Sequence, residues 1–201
     1  MLSRRGPVSA ATLQKATQSL HHRGPDGQRQ WISPDRSVGL GHARLSIIDL
    51  TTGDQPIASE DGRKHIIVNG EFYGYEAIQR DLQARGHRLS TKSDSEIALH
   101  LYEDFGVHCL EHLRGEFALL LWDENRRRLF AARDRFGIKP LFYARHNDTL
   151  TWPRRSRRCL SPECRHGGTK SLSTTTSRSA RLSCERCMRA FSRSLPGISC
   201  W

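Results

Sequence analysis

Apolar positions along the first two thirds of the chain follow two periods, three to four residues and two. Leu13, Ala16 and Leu20 recur at helical spacing behind Ser9, a residue type that caps helix starts, which predicts a short amphipathic helix over residues 9–20. The cluster His21-His22-Arg23-Gly24-Pro25-Asp26-Gly27 then breaks the chain. β segments are predicted around Gln30-Trp31-Ile32 and over residues 38–50, with loop over 51–56. Ile66-Ile67-Val68 closes a run at 64–68 with the β-branching of a buried strand, and it ends on Asn69-Gly70-Glu71, types that tolerate a sharp reversal. Tyr75, Ile78 and Leu82 predict a helix over 75–85 with Gly86 as its C-terminal stop. Ser93 and Glu96 stand at capping-box spacing ahead of Ile97, Leu101 and Phe105, and Gly106 ends that helix. A shorter helix is predicted over 107–113, a hairpin over 117–122 and 129–133 turning at Asp123-Glu124-Asn125-Arg126, a charged Gly/Pro loop over 134–140, and a strand from Leu141-Phe142-Tyr143. Strands and helices mix without the regular alternation of doubly wound folds, so the pattern predicts an α+β sandwich. After about residue 150 neither period survives, and stretches such as Arg154-Arg155-Ser156-Arg157-Arg158 predict a disordered tail over 151–201.

Charge changes this picture only in the tail. The formal net charge of +11 points towards nucleic acid or an anionic surface, but residues 1–144 carry 20 Lys+Arg against 18 Asp+Glu, whereas residues 145–201 carry 12 against 3. The tail lacks the aromatic interleaving of a stacking surface, so no nucleic-acid partner is expected. Cysteine divides the same way: only Cys109 precedes the tail, which fits a reducing, cytoplasmic setting better than a secreted disulfide framework. No apolar run is long enough to span a membrane, and Met1-Leu2-Ser3-Arg4-Arg5 is followed by no hydrophobic core of a secretory signal. Cys184-x-x-Cys187 below Cys159 and Cys164 has a loose zinc-like spacing without supporting elements, and no metal site is expected.

Candidate chemistry gathers at element ends. A turn at Asn69-Gly70-Glu71 sets a backbone N–H and a side-chain amide N–H side by side, as the oxyanion of a tetrahedral acyl intermediate needs, although Asn-Gly is also an ordinary hairpin signal. Four further clusters accompany it: His21 to Gly27, Gly41-His42-Ala43-Arg44-Leu45-Ser46-Ile47-Ile48-Asp49, Ser93-Asp94-Ser95-Glu96, and Arg133-Asp134-Arg135-Phe136-Gly137-Ile138-Lys139-Pro140. Taken in this order, over residues 17–150, they resemble the class II glutamine amidotransferase (glutaminase) domain of glutamine-dependent asparagine synthetases. His-Arg-Gly-Pro-Asp-Gly and Arg-Asp-Arg-Phe-Gly-Ile-Lys-Pro-Leu look like that branch rather than the purine or glucosamine branches.

The resemblance implies a four-layer α/β/β/α sandwich of the N-terminal-nucleophile type. In the family an N-terminal Cys attacks the glutamine amide with its own α-amine as base, a task suited to an amine pKa of about 7.7–8.0. By matching motif positions, Asn69 and Gly70 are the expected oxyanion hole, with a Cβ at position 70 crowding the substrate. Arg44 is the expected clamp on the substrate α-carboxylate. Glu71 and Asp94 are the expected acceptors of its α-ammonium, with Leu45, Ser46, Ile47 and Ile48 lining the pocket. Asp94 also suits the helix N-terminus that follows it. The expected partners are glutamine and a synthetase domain or a second copy. No cofactor is expected here, since ATP and magnesium belong to the family's synthetase domain, whose Ser-Gly-Gly phosphate loop this sequence does not contain.

Two departures qualify this. The family begins Met-Cys-Gly-Ile, and here the chain begins Met1-Leu2-Ser3, so the first strand and the nucleophile are expected to be missing. Cys109, within the helix predicted over 107–113 and without a free α-amine, is no substitute. Where the family continues Ala-Ser-Glu-Ile-Lys-Ala-Leu, this chain reads Trp152-Pro153-Arg154-Arg155-Ser156-Arg157-Arg158-Cys159, and a shifted reading frame is the expected origin of the tail. The sequence therefore predicts an asparagine-synthetase-type glutaminase domain that is inactive as encoded; the alternative is a non-catalytic glutamine-binding or regulatory module.

Overall fold

The computed structural model describes residues 1–3, 6–46, 52–146, 148–152, 170–171 and 198–200, with only the backbone given over 144–146 and in the last two segments. Its centre is an antiparallel sheet: β5 (Lys64–Phe72) lies between β4 (Ile57–Ala58) and β6 (Gly115–Asp123), and β7 (Arg128–Arg133) flanks β6. Alternate side chains divide between two cores. Ile66, Val68, Phe117, Leu119, Leu121, Phe130 and Ala132 pack beneath α2 (Tyr75–Ala84) and α3 (Glu96–Phe105), together with Leu82, Ile97, Leu101 and Tyr102. Ala118, Leu120, Trp122, Leu129 and Ala131 face the other way, onto Leu2, Val38, Leu40 and Leu150. Burial on both faces is why these strands read as near-continuous apolar runs, and each fully buried Leu, Ile or Phe contributes about 1.5–3 kcal/mol relative to exposure.

The second layer combines β2 (Gly27–Ile32) and β3 (Gly39–Arg44) with β1 (Leu2–Ser3), β9 (Thr149–Thr151) and β8 (Phe142–His146), joined by a bridge between Leu2 and Val38. Helix α1 (Ala10–Gln18) covers this layer. It comes close because β3 offers glycine there: a Cβ on Gly41 would stand 2.3 Å from Thr17 Oγ1, and one on Gly39 2.9 Å from Val8 Cγ1. The order is helix, sheet, sheet, helix. Among the described residues no helix is long and apolar enough to cross a membrane.

Several sequence expectations need correction. The chain start was expected to lack its strand, yet Leu2 and Ser3 pair with Leu150 and Thr149. That partner lies at the far end of the fold, so no local pattern announces it. Asn69-Gly70-Glu71 is no turn: β5 runs through it and pairs with Phe117 and Glu116 of β6 up to Phe72 opposite Gly115. The second β segment ends at Arg44 rather than 50, and residues 47–51 lie outside the described ones. The helix at 107–113 is a 3-10 helix, Gly106–Glu111. The capping box does not form: Ser95, not Ser93, precedes α3, and the Glu96 carboxylate turns to Ser90 and Thr91. The expectation of a disordered tail over 151–201 is not among these corrections: of that stretch the described residues are Thr151, which ends β9, Trp152 after it, and two short edges, β10 (Lys170–Ser171) beside β8 and β11 (Ile198–Cys200) beside β7. The remainder of that expectation, with Cys184-x-x-Cys187, falls outside the described residues.

Candidate functional site

A cavity of about 340 Å³ opens between the two sheets, where the ends of β3 and β5 meet the segment 93–95 and the loop at 139–141. Arg44, Leu45, Asn69, Gly70, Glu71 and Asp94 all line it, so the structure brings together six of the nine residues singled out in the sequence. Ser46 is not on the wall; its N–H donates to Asp26 Oδ2 at 2.7 Å. Ile47 and Ile48 lie outside the described residues.

Arg44 is the last residue of β3, buried at the cavity wall. Its Nη1 donates to Asp54 Oδ1 at 2.9 Å, and Asp54 Oδ2 also meets Arg29 Nη2 at 2.6 Å. The guanidinium is therefore oriented before any ligand arrives, which lowers the entropic cost of clamping one. The cluster at 21–27 sets this strand end. The Asp26 N–H donates to Arg44 O at 3.1 Å, and Gly24 lies so close that a Cβ would stand 2.3 Å from the Ala43 carbonyl carbon.

Asp94 lies opposite in character. Only 3 % exposed, it accepts the Phe72 N–H at 2.7 Å and the Ser93 hydroxyl at 3.4 Å. Burial pushes its carboxyl pKa up against those donors and the Ser95 N–H, and the neighbouring Glu71 carboxylate pushes the same way. Glu71 and Asp94 thus form an anionic end that gains from a cation, while Arg44 forms a cationic one. A small molecule carrying both a carboxylate and an ammonium matches that division.

Gly70 was expected to be glycine so that substrate has room. The structure gives another reason: its φ is +141°, and a Cβ would lie 1.9 Å from Glu116 O across the ladder. Gly115, opposite Phe72, has φ +149° and meets Glu71 O in the same way. The two glycines, one on each strand, let β5 and β6 approach closely beside the cavity wall at Gly70.

Sequence reading missed other parts of the wall. Gln55, buried, accepts the Val68 N–H at 2.6 Å and donates to Ser95 Oγ at 3.3 Å, so it ties β5 to the start of α3. It sat in a stretch read only as loop. Arg23 and Lys139 also line the cavity, and both belong to clusters the sequence had singled out. Lys139 is placed by Asp134, whose carboxylate accepts the N–H groups of Ile138 and Lys139 at 3.0 and 3.1 Å.

Comparison with known proteins agrees with this geometry. Residues 2–169 match the family described as the glutamine amidotransferase domain. Asparagine synthetase [glutamine-hydrolyzing] 3 of Bacillus subtilis is 41% identical over 141 residues, 69% of this chain and 23% of that protein. Amidase chry2 of Gibberella zeae is 49% identical over 139 residues, 69% of this chain and 21% of that protein. The chain thus spans about a fifth to a quarter of the length of these curated relatives. Among solved structures, the glutamine phosphoribosylpyrophosphate (PRPP) amidotransferase from B. subtilis superposes with a TM-score of 0.61, covering 72% of this chain and 39% of that one. At 20% identity this is a likeness of fold, and it is the N-terminal-nucleophile sandwich expected from the sequence. With layers, cavity and sequence in agreement, the chain belongs to the class II glutamine amidotransferase domain family and is related to asparagine synthetases.

Proposed function

We propose that the cavity binds free glutamine, as the glutaminase half of an asparagine-synthetase-like enzyme in which glutamine hydrolysis supplies ammonia for ATP-dependent asparagine formation. One observation carries the reading: a single cavity is lined by Arg44, preset by Asp54, by Glu71 and Asp94, and by Asn69 and Gly70. Arg44 clamps the α-carboxylate, Glu71 and Asp94 receive the α-ammonium, and the Asn69 amide and Gly70 N–H face the side-chain carbonyl where an oxyanion forms. ATP and magnesium chemistry belongs, on this reading, to a synthetase domain and not to this pocket. A synthetase domain or a second copy is the proposed protein partner, and the cytoplasm the proposed location.

Calorimetry tests the pocket. The wild-type chain is expected to bind glutamine, and Arg44→Ala to weaken it by about 2 kcal/mol, roughly thirtyfold, as the loss of a charge-assisted pair predicts. Equal affinities for the two proteins sink the assignment.

A second reading, binding without turnover, is favoured by the cysteines. Among the described residues no cysteine lines the cavity. Cys109 lies in the core beneath α3, where burial pushes its thiol up to about 12, so it is neither placed nor ionised for attack. A polypeptide of the sequence given is therefore expected to hold glutamine without releasing ammonia, and a version rebuilt with a Cys-Gly-Ile start to release it. Loss of a nucleophile costs up to about 10⁶-fold in a comparable acyl-transfer system. Steady ammonia release from the unmodified polypeptide overturns this reading.

A further inference from the structure

We propose that Glu96 is a positioning residue for the α-ammonium end of the cavity: its carboxylate straps the segment that carries Asp94. The inference rests on the glutamine reading above and names what sets its geometry. Glu96 is 1% exposed and does not itself line the cavity, although Ser95 before it does. Its Oε1 accepts the Ser90 N–H at 2.7 Å and the Ser90 hydroxyl at 2.8 Å. Its Oε2 accepts the Thr91 N–H at 2.7 Å and the Thr91 hydroxyl at 2.6 Å. From there the bonds run towards the cavity: the Ser93 N–H donates to Thr91 Oγ1 at 3.1 Å, and the Ser95 N–H to Ser93 Oγ at 3.2 Å. Asp94 stands between those two residues, with its carboxylate on the Phe72 N–H.

A capping role does not account for this. A capping glutamate returns to the backbone N–H at its own helix start. Here the carboxylate spends four short bonds on the loop leading into the cavity, and Ser95 makes no side-chain cap bond. A buried carboxylate with no countercharge is costly, and the fold supplies one. His100, one turn along α3 and itself 1% exposed, places Nε2 3.5 Å from Glu96 Oε1. Its Nδ1 lies 2.9 Å from Glu103 Oε2, while Lys64 Nζ lies 3.2 Å from Glu103 Oε1. Glu96, His100, Glu103 and Lys64 alternate in sign from the strap to the edge of β5. The strap is thereby anchored to the central sheet that also carries Asn69 and Gly70.

The test compares glutamine with glutaramic acid, which is glutamine without the α-amine, on wild type and Glu96→Gln. The glutamine side chain keeps one acceptor oxygen and with it one pair of bonds. If Glu96 sets Asp94, Glu96→Gln weakens glutamine about tenfold while glutaramic acid changes less than twofold. Hydrogen exchange is expected to quicken at residues 90–95 and at the Phe72 amide, with α2 unchanged. Both ligands weakening by the same factor, neither changing, or unaltered exchange at 90–95 overturns the proposal. Should Glu96→Gln fail to fold, Thr91→Val removes one donor from the same strap and must show the same selective loss. Wild type that binds no glutamine defeats the reading of the cavity and the ligand role of Glu96 with it. Exchange in that case still separates a strap without a ligand from no strap at all.

Discussion

Gly70 shows how a residue can be legible in identity and not in cause. Its place after a β-branched run marks it in the sequence, and so does the Asn before it. The reason it must be glycine lies on a strand forty-odd positions away, in the Glu116 carbonyl that a Cβ would strike at 1.9 Å. Gly70→Ala combines that clash with an unfavourable φ of +141° and is expected to cost about 2–3 kcal/mol in urea denaturation. Gly62, φ +66° with nothing within 4 Å, isolates the backbone term, and Gly62→Ala is expected to cost about 1 kcal/mol. If the two substitutions cost the same, the cross-strand clash is relieved and the cavity wall at Gly70 is more pliable than described. Arg44, Glu71 and Asp94 were legible because charged residues at element ends carry chemistry. Gln55 was not, because a lone amide in a loop gives no periodic or charge signal. Its role exists only once β5 and α3 are side by side.

Among the elements, the amphipathic helices were the most legible, since their apolar spacing follows directly from packing on one face. Ser9 caps α1 as the sequence predicts, its hydroxyl accepting the Thr12 N–H. Helix α3 was legible only on its apolar face. Its polar face carries His100, enclosed by Glu96 and Glu103 with the His87 ring 4.9 Å away, and that arrangement appears only after folding. Burial works to lower the pKa of His100, but the Nδ1 hydrogen bond to Glu103 and the attraction of the Glu96 carboxylate 3.5 Å from Nε2 prevail and raise it to about 9. A histidine with an unfolded value near 6.5 and a raised folded value stabilises fully below about pH 6.5. That contribution is lost as pH rises through about 9. It amounts to at most about 3 kcal/mol. Thermal unfolding from pH 6 to 10 is expected to show stability falling across this window. His100→Asn is expected to start lower at pH 6 and to lose the slope that separates it from wild type. Parallel profiles for the two proteins would mean that His100 is not the group responsible.

At the scale of the whole molecule, the mixed order of strands and helices was enough to predict a sandwich, but not which strands form which sheet. The pairing of Leu2 and Ser3 with Leu150 and Thr149 closes the fold from its two ends, and no local pattern encodes it. The same closure lies close to where the two hydrophobic periods end in the sequence, although the family match itself runs on to residue 169. Trp152 is the last described residue on the cavity wall, and the curated relatives align over 69% of the chain. Beyond it, among the described residues, β10 and β11 add short edges. We propose that the residues after this point come from a shifted reading frame. One permitted set of codons for Trp152-Pro153-Arg154-Arg155-Ser156-Arg157-Arg158-Cys159, chosen with the family continuation in view, is TGG CCT CGG AGA TCA AGG CGT TGT. Omitting the first two bases gives GCC TCG GAG ATC AAG GCG TTG, which reads Ala-Ser-Glu-Ile-Lys-Ala-Leu, the continuation expected of the asparagine synthetase branch. Codon degeneracy helps such a match, but it does not by itself produce an unbroken run of agreements at the position where the family strand should continue. One cause then accounts for the Arg/Ser/Cys composition and for the loss of both hydrophobic periods. The measurement is the nucleotide sequence across residues 145–165, read from genomic DNA and from transcript. Codons at 152–159 whose shifted frame spells the synthetase continuation are the expected result. Any other codons there end the proposal and leave the basic tail as an evolved segment with a role of its own.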